Sequence, residues 1–439
     1  MPYRTVTSSL SPWNRDRKRS YCPDRCGIDA SDEGATMDMI VTPAASSPSL
    51  DHASLSDGTV RPPKPGRDHR VDALRGVALT MMFADHIPQN LLNRLTIRNL
   101  GFCDAAEIFV LLAGFASMLA YGRAFERESI GSALNKLLRR VVKLYLFQMG
   151  MLLTTVLVIK EWRRYHPVPV DFLEPELAHG VHSFWRVLAL EALPGNLNIL
   201  PLYMVLLILF PVIYLALRFN RWAALTLSAG VWLLINLDPQ INLPNWLDPD
   251  GWYFDPFAWQ FLFTIGAWAA METRNTGGDV PKSRWLAGLC CLYLAFSAVQ
   301  SFPWALWGLP DLSLLPLAPP EKTPLSPLRL IDVLAIFYLV QSSQLASRLS
   351  AGRIGQVLAV IGRHSLEVFS LGTVLDLLAR LIMTTYGTAW PMQIAVNVIG
   401  LGTIYLLAVT LDRRKAAARS RTNPAAPLPV PTTGGTLAP

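Results

Sequence analysis

Charged residues are scarce in this chain of 439 residues. They make up 16% of it, whereas 51% of the residues are hydrophobic. A soluble globular protein normally carries about 25% charged residues, so this balance argues against a soluble enzyme. The net charge of +7 does not indicate nucleic-acid binding, because the basic residues lie in loops between apolar runs, as the positive-inside rule expects. The composition therefore predicts a multi-pass protein of the lipid bilayer.

Cysteine is also scarce, and the five cysteines form no disulfide framework. Cys22 and Cys26 have no second pair of ligands to complete a zinc site. Cys290 and Cys291 fall within an apolar run, where we interpret them as packing residues. His86 has no second histidine at ligand spacing. We therefore predict no metal and no bound cofactor.

Long apolar runs are absent from residues 1–66 and from residues 413–439, and we predict that both are disordered cytoplasmic tails. Between them, residues 67–412 form the predicted membrane domain. A bilayer crossing needs about 20 mostly apolar residues, and ten candidate stretches lie near 71–89, 104–122, 138–159, 197–217, 222–237, 257–272, 284–302, 327–346, 357–382 and 391–412. Alternate loops are rich in Arg and Lys, which places both termini in the cytoplasm. The predicted fold is all-α, with about ten transmembrane helices.

The first apolar stretch carries ionisable residues, which are costly inside a membrane and usually functional. Arg75 and His86 are eleven residues apart, so they share a helix face at a separation of about 16 Å. Arginine suits anions, and histidine transfers protons near neutral pH. We interpret Arg75 and Asp72 as donor-side residues near the cytoplasm, and His86 as a general base on the outer side. The alternative is that Arg75 reaches the membrane interface and His86 caps a neighbouring helix.

Three carboxylates are the candidates for orienting that base: Asp85 beside it, and Asp104 and Glu107 at the start of the second stretch. A carboxylate next to an imidazole fixes its tautomer and raises its basicity. The alternative for Asp104 and Glu107 is that they only begin a helix, where negative charge is favoured. Gly114, further along the same stretch, predicts a close approach between helices.

These residues resemble a known family. Arg75, ten intervening residues and His86 match the signature of the first helix of the acyltransferase-3 superfamily. The segments that resemble the OpgC family more specifically run from about residue 67 to 410 and include "RVDALRGVALTMMFADHIPQN", "TIRNLGFCDAAEIFVLLAGF", "GNLNILPLYMVLLILFP", "FDPFAWQFLFTIGAW" and "RHSLEVFSLG". The spacing of Arg75 and His86 is a weak pattern when it occurs alone. Its occurrence together with the other segments makes the resemblance specific.

The resemblance implies an acyltransferase of the bacterial inner membrane. Proteins of the wider superfamily take an acyl group from cytoplasmic acyl-CoA and deliver it to a hydroxyl of an extracytoplasmic glycan. OpgC proteins are associated with succinyl groups on osmoregulated periplasmic glucans. The orientation inferred from loop charge agrees with this implication, because it places Arg75 toward the donor and His86 toward the acceptor.

The other segments that resemble the family supply candidate binding residues. Those at the outer ends of predicted spans four and six offer hydrogen bonds or aromatic faces to sugars; they are Asn198, Tyr203, Asp255, Trp259 and Gln260. The ordinary alternative for a tryptophan here is the interfacial aromatic belt. Arg329, in span eight, is a candidate for the carboxylate of a succinyl group or a phosphate of CoA.

Two other functions fit the same sequence. A transporter for an anionic glycan or lipid would also need charges inside the membrane. An acyltransferase with another acceptor, such as a lipid-linked sugar, would share every feature described above. Within the acyltransferase reading, direct transfer and a covalent acyl-histidine intermediate both remain open.

Overall fold

The computed structural model describes residues 68–167, 181–193, 197–276 and 282–422. Within these ranges the regular structure is helical, and the extended pairing is an isolated bridge between Asn245 and Asp248. The predicted all-α class is therefore confirmed. The tail predicted for residues 1–66 lies outside the described residues.

The main helices follow one another along the chain with short connections. In chain order they are α1 (His69–Asp85), α2 (Ala105–Arg127), α3 (Ile130–Trp162), α4 (Val181–Leu188), α5 (Ile199–Phe219), α6 (Arg221–Leu237), α7 (Pro256–Asn275), α8 (Arg284–Ser301), α9 (Pro327–Ser342), α10 (Gln344–Ala351), α11 (Arg353–Arg363), α12 (Ser365–Tyr386) and α13 (Trp390–Thr422). Helix α2 includes one π-helical turn, Met118–Gly122. Helix α13 continues beyond residue 412, where we placed the end of the membrane domain; the domain boundaries stay predictions.

Four helices among the described residues are long and apolar enough to cross a membrane: α2, α3, α5 and α13. Helices α9 and α10 qualify together as a fifth span that is bent by 76°, and α6 is apolar but shorter. Each of the ten predicted stretches contains helix, but the stretch near 327–346 is divided between α9 and α10, and the stretch near 357–382 is divided between α11 and α12 at His364. These findings support a helical membrane protein, whereas the number of crossings and the cytoplasmic position of the termini stay predictions.

Helix α1 is fixed against α11 by direct contact between their backbones. A Cβ atom built on Gly76 would lie 2.0 Å from the carbonyl oxygen of Leu358, and one built on Gly362 would lie 1.9 Å from the carbonyl oxygen of Asp72. Glycine is required at both positions because a backbone, unlike a side chain, cannot turn aside. The helix that carries the predicted base therefore has a fixed position.

Helix α2 is held against α7 in the same way. A Cβ atom built on Gly114 would lie 2.0 Å from the carbonyl oxygen of Phe263, and one built on Gly266 would lie 2.1 Å from that of Leu111. The close approach predicted from Gly114 is thus observed. Phe263 also packs edge to face on Phe210 of α5, with ring centroids 6.4 Å apart. These three helices form one buried apolar core together with residues of α1, α3, α9, α11, α12 and α13.

We expect the Gly114→Ala variant to be destabilised by about 1–3 kcal/mol, because the added methyl group forces the two backbones apart. The matched control is Gly150→Ala within α3, since a Cβ atom built there meets nothing within 4 Å. The control should be neutral or slightly stabilising, as alanine favours helix. Thermal unfolding midpoints in one detergent would measure both. Equal midpoints for the two variants would contradict the close contact between α2 and α7.

Candidate active site

A cavity of about 630 Å³ opens at the C-terminal end of α1. We call it the large cavity. Its walls come from segments far apart in the chain, including the ends of α1, α2, α5 and α9 and the loops before α7 and α9. The acidic, basic and histidine residues that line it are Asp85, His86, Arg98, Asp104, Lys322 and Arg329. The predicted base and part of its predicted surroundings are therefore brought together.

His86 is the residue that ends α1, and the backbone fixes its tautomer. Its Nδ1 atom lies 2.6 Å from the carbonyl oxygen of Met82, one turn earlier in the same helix. A carbonyl oxygen only accepts hydrogen bonds, so Nδ1 carries the proton and donates it. Nε2 is then the unprotonated ring nitrogen, and it makes no hydrogen bond with another described residue. The imidazole is therefore prepared to accept a proton at Nε2.

The three carboxylates expected to orient His86 are engaged elsewhere. Asp85 accepts a hydrogen bond of 2.5 Å from the hydroxyl of Thr96. Asp104 and Glu107 contact two cations, Lys322 and Arg329, instead of the imidazole. Among the described hydrogen bonds, the main chain thus takes the orienting role that the sequence assigned to these acids.

Asp104 and Glu107 begin α2 as a capping box and bind cations at the same time. The Asp104 side chain accepts from the backbone N–H of Ala106 at 2.8 Å, and Glu107 accepts from the backbone N–H of Asp104 at 2.9 Å. Arg329 of α9 donates to Glu107 through Nε at 2.7 Å and to Asp104 through a terminal nitrogen at 3.2 Å. Lys322 donates to Asp104 as well. Glu107 is fully buried and has no contact with water, so a negative charge on its carboxylate is stabilised by the guanidinium of Arg329.

Lys322 keeps its positive charge at the wall of the cavity. Burial lowers the pKa of its ammonium group, but the carboxylates of Asp104 and Glu107 outweigh that effect and raise the pKa. The ammonium group also lies 5.7 Å from the ring centre of Tyr253 and 5.3 Å from that of Phe254. These contacts hold the loop before α9 against the wall of the large cavity. Because Lys322 stays protonated, it is not a candidate for the general base.

Two of the predicted acceptor residues are buried away from the large cavity. Trp259 is 0% exposed. Its indole N–H donates to the carbonyl oxygen of Thr323 at 3.1 Å, and its ring packs on Phe254 at 4.9 Å. Gln260 exchanges hydrogen bonds with Ser228 of α6, at 2.6 Å and 2.9 Å. In this structure Trp259 connects α7 with the loops before α7 and α9, Gln260 connects α7 with α6, and neither lines the cavity.

The other three predicted acceptor residues, Asn198, Asp255 and Tyr203, lie in different parts of the structure. Asn198, at the start of α5, lines the large cavity. Asp255 caps α7, where it accepts from the backbone N–H of Phe257 at 2.8 Å, and burial raises its pKa to about 6. It does not line the cavity. Four Phe or Tyr side chains line the large cavity, and Tyr253 is the most exposed of them, at 42%.

Arg75 lines a second, smaller cavity of about 100 Å³, which we call the small cavity. Asp72 forms an ion pair with Arg75 at 3.6 Å, and Arg75 also donates to the carbonyl oxygen of Leu112 at 3.3 Å. Arg140 of α3 supplies a second guanidinium to the same cavity. Tyr203, predicted at the acceptor site, lies here as well.

The position of Arg329 also differs from the prediction. The sequence grouped it with the donor residues Arg75 and Asp72, whereas it lines the large cavity together with His86. Its guanidinium is occupied by Glu107 and Asp104. In this structure Arg329 thus balances buried carboxylates.

Sequence reasoning missed Lys322, Arg98, Arg140 and Phe369. Lys322 did carry a signal, since it is the single Arg or Lys of the loop from residue 303 to residue 326. The other three look like ordinary helix or loop residues in sequence. Within the described ranges, no three His, Cys, Asp or Glu side chains converge in a way that could hold a metal ion.

The fold and the site together define a helical membrane protein that encloses a proton acceptor and several charges at one cavity. The comparison with family models is more specific: the OpgC protein family matches residues 67–416, and the chain belongs to that family. Membership implies a membrane acyltransferase that acts on glucans. Neither the curated proteins nor the solved structures that were compared gave a match.

Proposed function

We propose that this protein transfers a succinyl group from cytoplasmic succinyl-CoA to a hydroxyl of a periplasmic glucan, in the inner membrane of a bacterium. The observation that carries the proposal is the state of His86. Its Nε2 atom is an unprotonated acceptor, and the residue lines a cavity of about 630 Å³. That volume lies within the range of about 300–1,000 Å³ typical of small-molecule sites.

His86 acts as the general base in this proposal. The glucan hydroxyl oxygen attacks the thioester carbon while its proton passes to Nε2 of His86. The tetrahedral intermediate then expels the CoA thiolate, and the thiolate takes the proton back from the imidazolium. The products are a glucan ester and free CoA. The ammonium group of Lys322 at the same cavity has three donors, of which one binds Asp104, and its positive charge favours the oxyanion that forms on the way.

The donor side of the proposal rests on the small cavity. Arg75 and Arg140 place two guanidinium groups there, and Ser365 lines it at the first residue of α12. Helix N-termini and guanidinium groups both attract phosphate. The small cavity of about 100 Å³ accommodates a narrow chain rather than a nucleotide. We therefore assign it to the arm of CoA that bears the thioester.

The acceptor side rests on the neutral groups that line the large cavity. Tyr253 presents an aromatic ring, and Asn198 presents an amide at the start of α5. Rings pack on the apolar faces of sugars, and amides form hydrogen bonds with hydroxyl groups. This combination suits a glycan and supports an acceptor with many hydroxyls.

Arg98 is our candidate for selecting a succinyl group over an acetyl group. It lines the large cavity and makes no hydrogen bond or ion pair with another described residue. Its charge still acts on His86, so a carboxylate carried by the acyl group would find a cation close to the base. Arg329, by contrast, is already occupied by two carboxylates.

The Arg98→Gln variant is expected to lower the ratio of succinyl to acetyl transfer about tenfold, the typical worth of a charged hydrogen bond. Arg94→Gln is the matched control, because Arg94 donates to the carbonyl oxygen of Leu306 and lies over Trp307, outside the cavity. Competition between the two CoA esters, followed by mass spectrometry of the glucan, measures the ratio. A ratio unchanged in Arg98→Gln would remove this residue from donor selection.

The proposed function itself is tested with purified protein in nanodiscs. Succinyl-CoA and glucan are supplied together, free thiol is followed with time, and the glucan is weighed by mass spectrometry. We expect one succinyl mass added per thiol released. Thiol release without gain of glucan mass would point to another acceptor. If wild-type protein neither binds nor consumes acyl-CoA, the transport alternative would replace the enzymatic one.

A further inference from the structure

The large cavity and the small cavity lie next to each other, and one side chain belongs to both. Among the described residues that line them, Phe369 of α12 is shared. Its side chain is buried, with 6% of the residue exposed. The cavities contain Arg75 and His86 respectively, and these two residues lie about 16 Å apart along α1 by helix rise. Phe369 therefore stands between the two predicted halves of the reaction.

The surroundings of Phe369 on the side of the small cavity are aromatic. Its ring centroid is 6.3 Å from that of Phe109, which lines the small cavity too. The ring of Phe109 in turn meets Tyr203 edge to face at 6.4 Å. Aromatic surfaces of this kind exclude water from the space between the cavities. A thioester that leaves the small cavity for His86 meets this barrier first.

We propose that the ring of Phe369 is a movable partition, and that it turns aside to let the thioester of the donor reach His86. This inference rests on the proposed acyl transfer. Phe369 is a positioning residue in it, since no step of the chemistry uses its atoms. With the ring in place, water from one cavity is kept from a thioester waiting in the other, so hydrolysis is suppressed until the passage opens.

The main chain of Phe369 belongs to α12, so the proposed movement concerns its side chain only. Ser365 and Leu366, which line the small cavity, lie within one turn of Phe369 on α12. The carbonyl oxygen of Phe369 accepts a hydrogen bond from the hydroxyl of Thr373 at 3.0 Å, which ties its main chain into the helix. Opening in this proposal is therefore a change of side-chain rotamer at Phe369 and not a movement of α12.

Two substitutions at this position should have opposite effects on enzyme in nanodiscs. Phe369→Trp enlarges the partition and should slow succinyl transfer to glucan about a hundredfold, since a misplaced donor carries that scale of penalty. Because Phe369 also lines the small cavity, CoA binding is measured on the same variant, and transfer at saturating succinyl-CoA should be slowed whatever the change in affinity. Phe369→Ala opens the passage and should raise hydrolysis of succinyl-CoA without glucan about tenfold. The control is Phe337→Ala, because Phe337 is equally buried, packs on Phe115 and lines neither cavity.

Hydrolysis by Phe369→Ala that equals the Phe337→Ala rate would overturn the partition, as would wild-type transfer by Phe369→Trp. Unfolding midpoints identify a variant that has lost its fold, and Phe369→Leu then replaces Phe369→Ala. If wild-type protein consumes no acyl-CoA, that result contradicts the proposed function but does not test the partition. A labelling experiment that needs no enzymatic activity tests the partition.

The labelling experiment uses Ser365→Cys, which places a thiol in the small cavity. A membrane-impermeant thiol reagent is supplied only from the side of the large cavity, in proteoliposomes of one orientation. Mass spectrometry of the peptide that contains position 365 gives the labelling rate. The rate should rise about tenfold when Phe369→Ala is added, because removing the ring opens a path that native side-chain motion opens only transiently. Equal rates with and without Phe369→Ala would contradict a partition at this residue.

Discussion

The His86→Asn variant should lose succinyl transfer by about two to four orders of magnitude, the contribution expected of a general base. Asparagine can keep the hydrogen bond to the carbonyl oxygen of Met82, because its amide nitrogen takes the place of Nδ1. It has no counterpart of Nε2. Transfer rates to glucan at saturating succinyl-CoA, measured on protein in nanodiscs, test the expectation.

Comparison with His86→Ala separates chemistry from structure. The alanine variant loses both the base and the hydrogen bond to Met82, so equal losses in the two variants assign the effect to Nε2. If His86→Asn retains activity and only His86→Ala loses it, the histidine serves to cap α1. A structural role on its own helix, rather than on the neighbouring helix considered from the sequence, would then replace the catalytic one.

The second large effect is expected at Arg329. The Arg329→Met variant leaves the fully buried Glu107 without its main cation, and breaking a buried ion pair in this way costs about 3–5 kcal/mol. The start of α2 would loosen as well, because Asp104 loses the same partner. We expect a much lower midpoint of thermal unfolding in detergent, together with reduced yield of folded protein.

A double variant provides the control for Arg329. When Glu107→Gln is combined with Arg329→Met, the buried negative charge is removed together with its partner, and much of the lost stability should return. Lys322 remains to bind Asp104 in that variant. A double variant that is no more stable than Arg329→Met alone would contradict an unpaired charge on Glu107 as the cause, since glutamine keeps an acceptor oxygen for the backbone N–H of Asp104.

The sequence is sufficient to predict features that lie within a single helix. The register of Arg75 and His86 is predicted from helix geometry alone, and the two residues line cavities that share Phe369. The pattern of Asp104 followed by Glu107 three residues later is that of a capping box, which the structure contains. Local spacing is sufficient for such features.

What the sequence did not predict depends on contacts between distant segments. Lys322 meets Asp104 across more than two hundred residues, and no local pattern joins them. The aromatic content near α7 did not reveal that Trp259 faces inward whereas Tyr253 faces the cavity. Asn198 and Tyr203 illustrate helix phase: five residues turn the chain by about 140° beyond a full turn, which sends the two side chains to different cavities.

The contacts of Gly76 and Gly362 bear on how this active site tolerates mutation. Because α1 touches α11 through main-chain atoms, the direction in which the imidazole points is set by the backbone rather than by the side chains around it. We therefore expect exchanges of apolar side chains elsewhere on α1 to disturb the position of the proposed base less than a change at either glycine. The position of the proposed base should thus tolerate sequence change at many positions but not at Gly76 or Gly362.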